Sequence, residues 1–78
     1  SEALGIEELD AARLLDIGSG PGHFLLAAQS AGWKAEGVEP SRQAAGFAAG
    51  KGLTIHNHMF DLDWAVAQTP FDAVHSMN

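Results

Sequence analysis

Arg13-Leu14-Leu15-Asp16-Ile17-Gly18-Ser19-Gly20-Pro21-Gly22-His23 is the stretch on which the reading of the whole chain turns. Leu14, Leu15 and Ile17 make a short apolar run, the pattern of a strand buried on both faces, and glycines stop it at once. Beyond them Phe24, Ala27, Ala28 and Ala31 recur at helical spacing over 23–31, and Gly32 stands where that helix should close. At a strand-to-helix corner, glycine takes positive φ and lets the backbone approach a ligand with no Cβ between them. The helix aims its free N–H groups and positive dipole end at the same crevice. Asp16, one residue before the strand ends, is expected to accept hydrogen bonds from the loop amides and hold the loop's shape. A tight turn alone rarely needs three spaced glycines, so the corner reads as a site for a polar or anionic ligand.

Outward from this unit the same alternation repeats. Residues 34–39 predict a second strand that Pro40 ends, and Ser41 is a good N-cap for a helix over 42–49 closed by Gly50 and Gly52. Over 53–60, Leu53, Ile55, Asn57 and Met59 alternate with Thr54, His56 and His58, as in a third strand near a sheet edge. Residues 61–68 read as a connection with one or two helical turns. Residues 71–77 read as a fourth strand, entered through Thr69-Pro70. At the start, Leu4, Leu9 and Ala12 give a weak apolar stripe, either a leading helix or a frayed end. The order predicts half of a doubly wound α/β sheet with right-handed crossovers.

The bulk numbers restrict the function classes. A chain of 78 residues is one small domain, burying about 60% of the surface its unfolded form exposes. With 46% apolar and 18% charged residues it has the composition of a folded soluble segment. Cysteine is absent, which removes disulfides and cysteine-zinc sites as sources of stability. No apolar run has the length of a membrane span and no signal peptide opens the chain, so a cytoplasmic location is the default expectation. The net charge is −6, and Arg13, Lys34, Arg42 and Lys51 are scattered, so there is no strong sign of a nucleic-acid partner.

Spacing decides which ligand the loop suits. A dinucleotide site wants G-x-G-x-x-G, the third glycine allowing close helix–strand packing. Counted from Gly18 and Gly20, that position is His23, too large for the role. The pattern is instead Asp-x-Gly-x-Gly-x-Gly. Leu14-Leu15-Asp16-Ile17-Gly18-Ser19-Gly20-Pro21-Gly22 resembles the first motif of class I S-adenosylmethionine-dependent methyltransferases.

The resemblance runs over about residues 11–78 and carries definite implications. The fold should be Rossmann-like, a three-layer α/β/α arrangement whose full sheet has seven strands. The four present here should form a partial parallel sheet in the order 3-2-1-4. Residues 1–78 would then be a single partial domain, the S-adenosylmethionine-binding half, cut after the fourth strand. Asp16, Gly18, Ser19, Gly20 and Gly22 would wrap the amino-acid portion of the cofactor. Glu39 lies seventeen residues after Gly22 at a strand end, where a carboxylate can accept both hydroxyls of a ribose. The family has an acidic residue there, and Glu39-Pro40-Ser41 resembles its surroundings; Glu36, inside the strand, is the poorer candidate. Asp61 falls where the family often has an acceptor for the adenine amino group, with Phe60 and Leu62 as walls. It is equally placed to cap a helix, and Asp63 competes for the adenine role. Phe71-Asp72-Ala73-Val74 resembles the fourth-strand motif, in which Asp72 would be structural and Ser76 or Met77 would touch the cofactor by backbone.

Other polar residues are weighed against simpler roles. His56 and His58 share a strand face near Asp61 and Asp63, but zinc needs three or four convergent ligands, and such a pair is more often solvent-facing, so no metal is expected. His23 is placed to cover the loop. Trp33 and Trp64 read as packing residues, Trp64 with a second option beside the adenine. Nothing forms a nucleophile–base pair. That suits direct displacement at a sulfonium methyl, where an enzyme supplies proximity and alignment. Catalytic groups and the acceptor pocket are expected on later strands, and the acceptor is expected to be a small molecule. A fourth strand left as an edge invites self-association. Two other readings stay open: a non-catalytic cofactor-binding or structural remnant, and, less favoured, a segment of an NAD-dependent oxidoreductase.

Overall fold

A computed structural model describes residues 12–68 and 70–76. In chain order the elements are β1 (Arg13–Ile17), α1 (His23–Ser30), β2 (Lys34–Val38), α2 (Arg42–Gly50), β3 (Thr54–His56), α3 (Leu62–Val66) and β4 (Ala73–Ser76). All strand pairs are parallel, and the four-stranded sheet runs β3-β2-β1-β4. The fold is therefore α/β and Rossmann-like, with the predicted strand order 3-2-1-4. In register, Asp16 of β1 stands beside Gly37 of β2 and His75 of β4.

One core joins the sheet to two helices. Leu14 and Ala35 meet Leu25 and Ala28 of α1, Ala48 of α2, and Leu53, so α1 and α2 cover the same sheet face. Trp33, Ile55 and Ala73 pack on its margin. Leu25 is fully buried, a gain of roughly 1.5–3 kcal/mol over leaving it in water. The predicted punctuation acts as expected. Gly32 takes φ 100° after α1, and the Ser41 hydroxyl accepts from the Ala44 amide at 3.2 Å to cap α2.

Because successive strand residues alternate faces, Arg13, Glu36 and His56 lie opposite that core. The Glu36 carboxylate sits between Arg13 Nη2 at 2.7 Å and His56 Nε2 at 3.0 Å. Trp64 of α3 meets the rings of His56 and His58 with centroids 4.8 and 4.9 Å away, and Arg13 lies 4.2 Å above the Phe71 ring. The histidine pair is thus half-buried against Trp64 and is not the solvent-facing feature its spacing suggested.

Burial alone would raise the Glu36 carboxyl pKa. The hydrogen bonds and charges of Arg13 and His56 outweigh burial and hold it below the ordinary 4.5. A carboxylate depressed in the folded state stabilises the fold fully above its unfolded value, and loses that contribution as pH falls through the folded value. Glu36→Gln should cost about 1–2 kcal/mol in urea unfolding at pH 7. The deficit should shrink well below pH 4.5, and an equal deficit at both pH values would contradict this account of Glu36.

Two strands are shorter than their patterns predict. β3 ends at His56 because β2 ends at Val38, leaving nothing further to pair with. Asn57 instead turns its side-chain amide onto the carbonyls of Glu39 (2.8 Å) and Pro40 (3.2 Å). β4 starts at Ala73, after Asp72 has clamped the start of β1 by donating its N–H to Arg13 O and accepting from Arg13 N, both at 2.8 Å. The expectations for residues 1–11, Thr69 and Met77 lie outside the described residues. Among the described residues no helix is long and apolar enough to cross a membrane.

Candidate functional site

The crevice opens at the carboxyl ends of β1 and β4, where the chain's progress across the sheet reverses, the usual ligand position in open α/β sheets. The loop leaving β1 turns on three positive-φ glycines, Gly18 (74°), Gly20 (57°) and Gly22 (96°). Its amides are used internally. Gly18 N and Ser19 N donate to Val38 O at 2.8 and 3.3 Å, Gly20 N to Glu39 Oε1 at 2.6 Å, and Gly22 N to Ser19 O at 3.1 Å. Pro21 has no amide hydrogen to offer.

The carboxylate that holds the loop is therefore Glu39, and the role expected of Asp16 is corrected. Asp16 projects onto the helix-covered face of the sheet, in register with His75, and the loop amides named above donate elsewhere. It is 3% exposed, and its Oδ1 lies 2.7 Å from His75 Nδ1.

Two glycines fix how closely the parts approach. A Cβ on Gly37 would collide with the Ser19 side chain and come within 2.8 Å of Leu25 Cδ1, so this glycine lets the loop lie down on β2. The sequence signal for it was an isolated glycine inside a strand. Gly37→Ala should push Ser19 away and cost about 1–3 kcal/mol, measured by urea unfolding together with amide shift changes confined to the loop. A Cβ on Gly22 would strike Leu53 Cδ1 and lie 3.2 Å from Ala48 Cβ. Gly22 is thus the close-packing glycine of this loop, and His23, the next residue, opens α1 exposed to solvent.

A cavity of about 170 Å³ lies against the loop. Of the predicted site residues it gathers Asp16, Gly18, Ser19 and Gly20; Pro21, His23, Phe24 and His75 complete its walls. The His75 ring stacks on Phe24 with centroids 3.8 Å apart and planes 10° from parallel. The Ser19 hydroxyl itself is turned onto Gly37 of β2, buried and without a hydrogen-bond partner among the described residues. The volume is below the ~300–1,000 Å³ of sites that enclose a whole drug-sized ligand, so the cavity suits one end of a larger molecule.

The other predicted residues follow the sheet's carboxyl edge outward. Glu39 is nearly buried, with its second oxygen accepting from Ser41 N at 2.8 Å. Pro40 is exposed and anchored through Asn57. Asp61 caps α3 by accepting from Asp63 N at 3.1 Å, the alternative its position offered, and Phe60 and Leu62 are exposed beside it. Ser76 ends the described part of β4 in register with Ile17, and Gly22 closes the loop against Leu53 and Ala48. The structure thus draws Asp16, Gly18, Ser19, Gly20 and Glu39 together, and leaves Pro40, Phe60, Asp61 and Leu62 outside the cavity. No local pattern marks His75, Phe24, Gly37 or Asn57 as site residues. Among the described residues no group of three or more His, Cys, Asp or Glu is arranged to hold a metal ion.

No curated protein matches the chain. Residues 2–78, nearly its whole length, match the sequence profile of a family described as a methyltransferase domain, and the chain belongs to that family.

Proposed function

We propose that the crevice binds S-adenosylmethionine and that the chain is the cofactor-binding part of an enzyme that methylates a small molecule. One observation carries the reading. The amides of Gly18, Ser19, Gly20 and Gly22 are already spent, and the acceptor left at the cavity is Asp16, whose Oδ2 has no partner among the described residues. A pyrophosphate would find these loop amides taken, with only the first amides of α1 left to it, and would be repelled by the carboxylate. A zwitterion that also carries a positive sulfur is attracted by a carboxylate.

The residues fit such a ligand from end to end. The cavity takes the amino-acid end, bordered by Asp16 and the backbone of Gly18, Ser19 and Gly20. An ionised carboxylate has about four acceptor sites. Glu39 uses two, on Gly20 N and Ser41 N, leaving two for the ribose hydroxyls. Further along, Phe60 and Leu62 expose apolar surface for a base, and Asp61 carries a carboxylate for its amino group. The bound cofactor supplies a methyl group on a positively charged sulfur. These residues bind and align it, so a nucleophilic acceptor can displace the sulfur in line. A small-molecule acceptor agrees with the net charge of −6 and the scattered cations, which offer a nucleic-acid backbone little.

Calorimetric titration of the full protein with S-adenosylhomocysteine and with NAD tests the reading. Binding of the first alone is expected. NAD binding without it overturns the proposal, and so does a folded sample that binds neither.

A further inference from the structure

We infer that His75 contacts the ligand, accepting a hydrogen bond through Nε2 from an α-ammonium group, with Asp16 as its positioning residue. The inference rests on the crevice receiving an amino-acid-bearing ligand, and it adds a side chain that the glycine motif does not contain.

The His75 ring is held on several sides. Its Nδ1 lies 2.7 Å from Asp16 Oδ1, its face is stacked on Phe24 at 3.8 Å, and its backbone is registered against Asp16 in the sheet. An ionised carboxylate only accepts hydrogen bonds, so Nδ1 must carry the proton shared with Asp16. In the neutral ring, Nε2 then bears the lone pair. Nε2 has no protein partner among the described residues, and His75 lines the cavity.

The same holds for Asp16 Oδ2. Two acceptor-bearing side chains, Asp16 and His75, therefore line a space of about 170 Å³ at which the amides of Gly18, Ser19, Gly20 and Gly22 are already spent. Such a space selects a compact cationic donor, and an ammonium brings three N–H groups. Asp16 is 3% exposed and has one hydrogen bond among the described residues, which leaves Oδ2 able to accept from a ligand. A purely structural His75 would tie β4 to β1 and leave that second oxygen to water.

The test compares S-adenosylhomocysteine with 5′-methylthioadenosine, the same nucleoside thioether without the amino-acid end. His75→Phe keeps a flat ring against Phe24 and removes Nε2. In the full protein it should weaken S-adenosylhomocysteine about tenfold or more, and methylthioadenosine by less than about twofold. Unchanged S-adenosylhomocysteine binding overturns the inference, as does an equal loss of both ligands. If the unmutated protein binds neither, the underlying reading of the crevice falls and takes the inference with it.

Imidazole ¹⁵N spectra of the unmutated protein give a readout independent of the variant's folding. They should show Nδ1 protonated before ligand is added, and an Nε2 resonance that moves with S-adenosylhomocysteine and stays still with methylthioadenosine. A ring protonated at Nε2, or an Nε2 signal indifferent to both ligands, would refute the contact.

Discussion

Gly22→Val should unfold the domain or bring it close to unfolding, with a loss of about 3–5 kcal/mol in urea or thermal unfolding. Two costs combine. Gly22 holds φ 96°, and a β-branched side chain forced into left-handed backbone pays roughly 1–3 kcal/mol. Its Cβ would also be driven into Leu53 and Ala48, both buried core residues, and overpacking of this kind costs about another 1–3 kcal/mol. Domains are typically held by only about 5–15 kcal/mol in total. Two controls separate the terms. At Gly18, φ is 74° but nothing lies within 4 Å of a new Cβ, so Gly18→Ala should show the strain alone, about 1 kcal/mol. Gly46 is exposed within α2, has no positive φ and faces open space, so Gly46→Ala should stabilise by about 0.5–1 kcal/mol. Equal effects at all three positions would mean that neither the packing nor the backbone argument holds.

Glu39→Ala should damage fold and binding together. The carboxylate accepts from Gly20 N and Ser41 N, so it holds the loop and the start of α2 in one place. Hydrogen bonds to a charged group contribute about 1.5–3 kcal/mol each, and solvent entering the gap recovers part of that, so a net loss of about 2–4 kcal/mol is expected. In the proposed function the same side chain also carries the ribose, so S-adenosylhomocysteine affinity should fall by about a hundredfold or more. Glu39→Gln divides the two roles. Its carbonyl oxygen can still accept from one amide, so stability should recover more than affinity does. A Glu39→Ala protein that unfolds as expected yet binds S-adenosylhomocysteine at full strength would confine Glu39 to a structural role.

The fold was largely legible because its punctuation is local. The apolar run at Leu14-Leu15, the helix stops at Gly32 and Gly52 and the cap at Ser41 each act within a few residues of where they are written. Strand lengths were less legible, since the end of β3 is set by where β2 runs out of partners and not by its own alternation. The site divides in the same way. Gly18, Gly20 and Gly22 declare themselves through spacing, as does Glu39 at a strand end. The partnership of Asp16 with His75 spans 59 positions and exists only because β4 is registered beside β1, which no local pattern encodes. For the same reason Glu36, set aside as the poorer cofactor candidate, proves to be the tie between Arg13 and His56 on the far face. Gly37 is marked locally only as an isolated glycine in a strand, and its function emerges only once Ser19 lies over it.

The internal bonding of the loop has a consequence for how the protein breathes. Gly18, Ser19, Gly20 and Gly22 each donate to a carbonyl or carboxylate, three of them to the end of β2. In native-state hydrogen exchange these amides should be protected like those of the central strands, opening only when β1 and β2 separate, whereas connecting loops usually exchange through small local fluctuations. The loop is then thermodynamically part of the sheet. A ligand arriving at the crevice meets a surface already ordered, with little conformational entropy left to lose at that end.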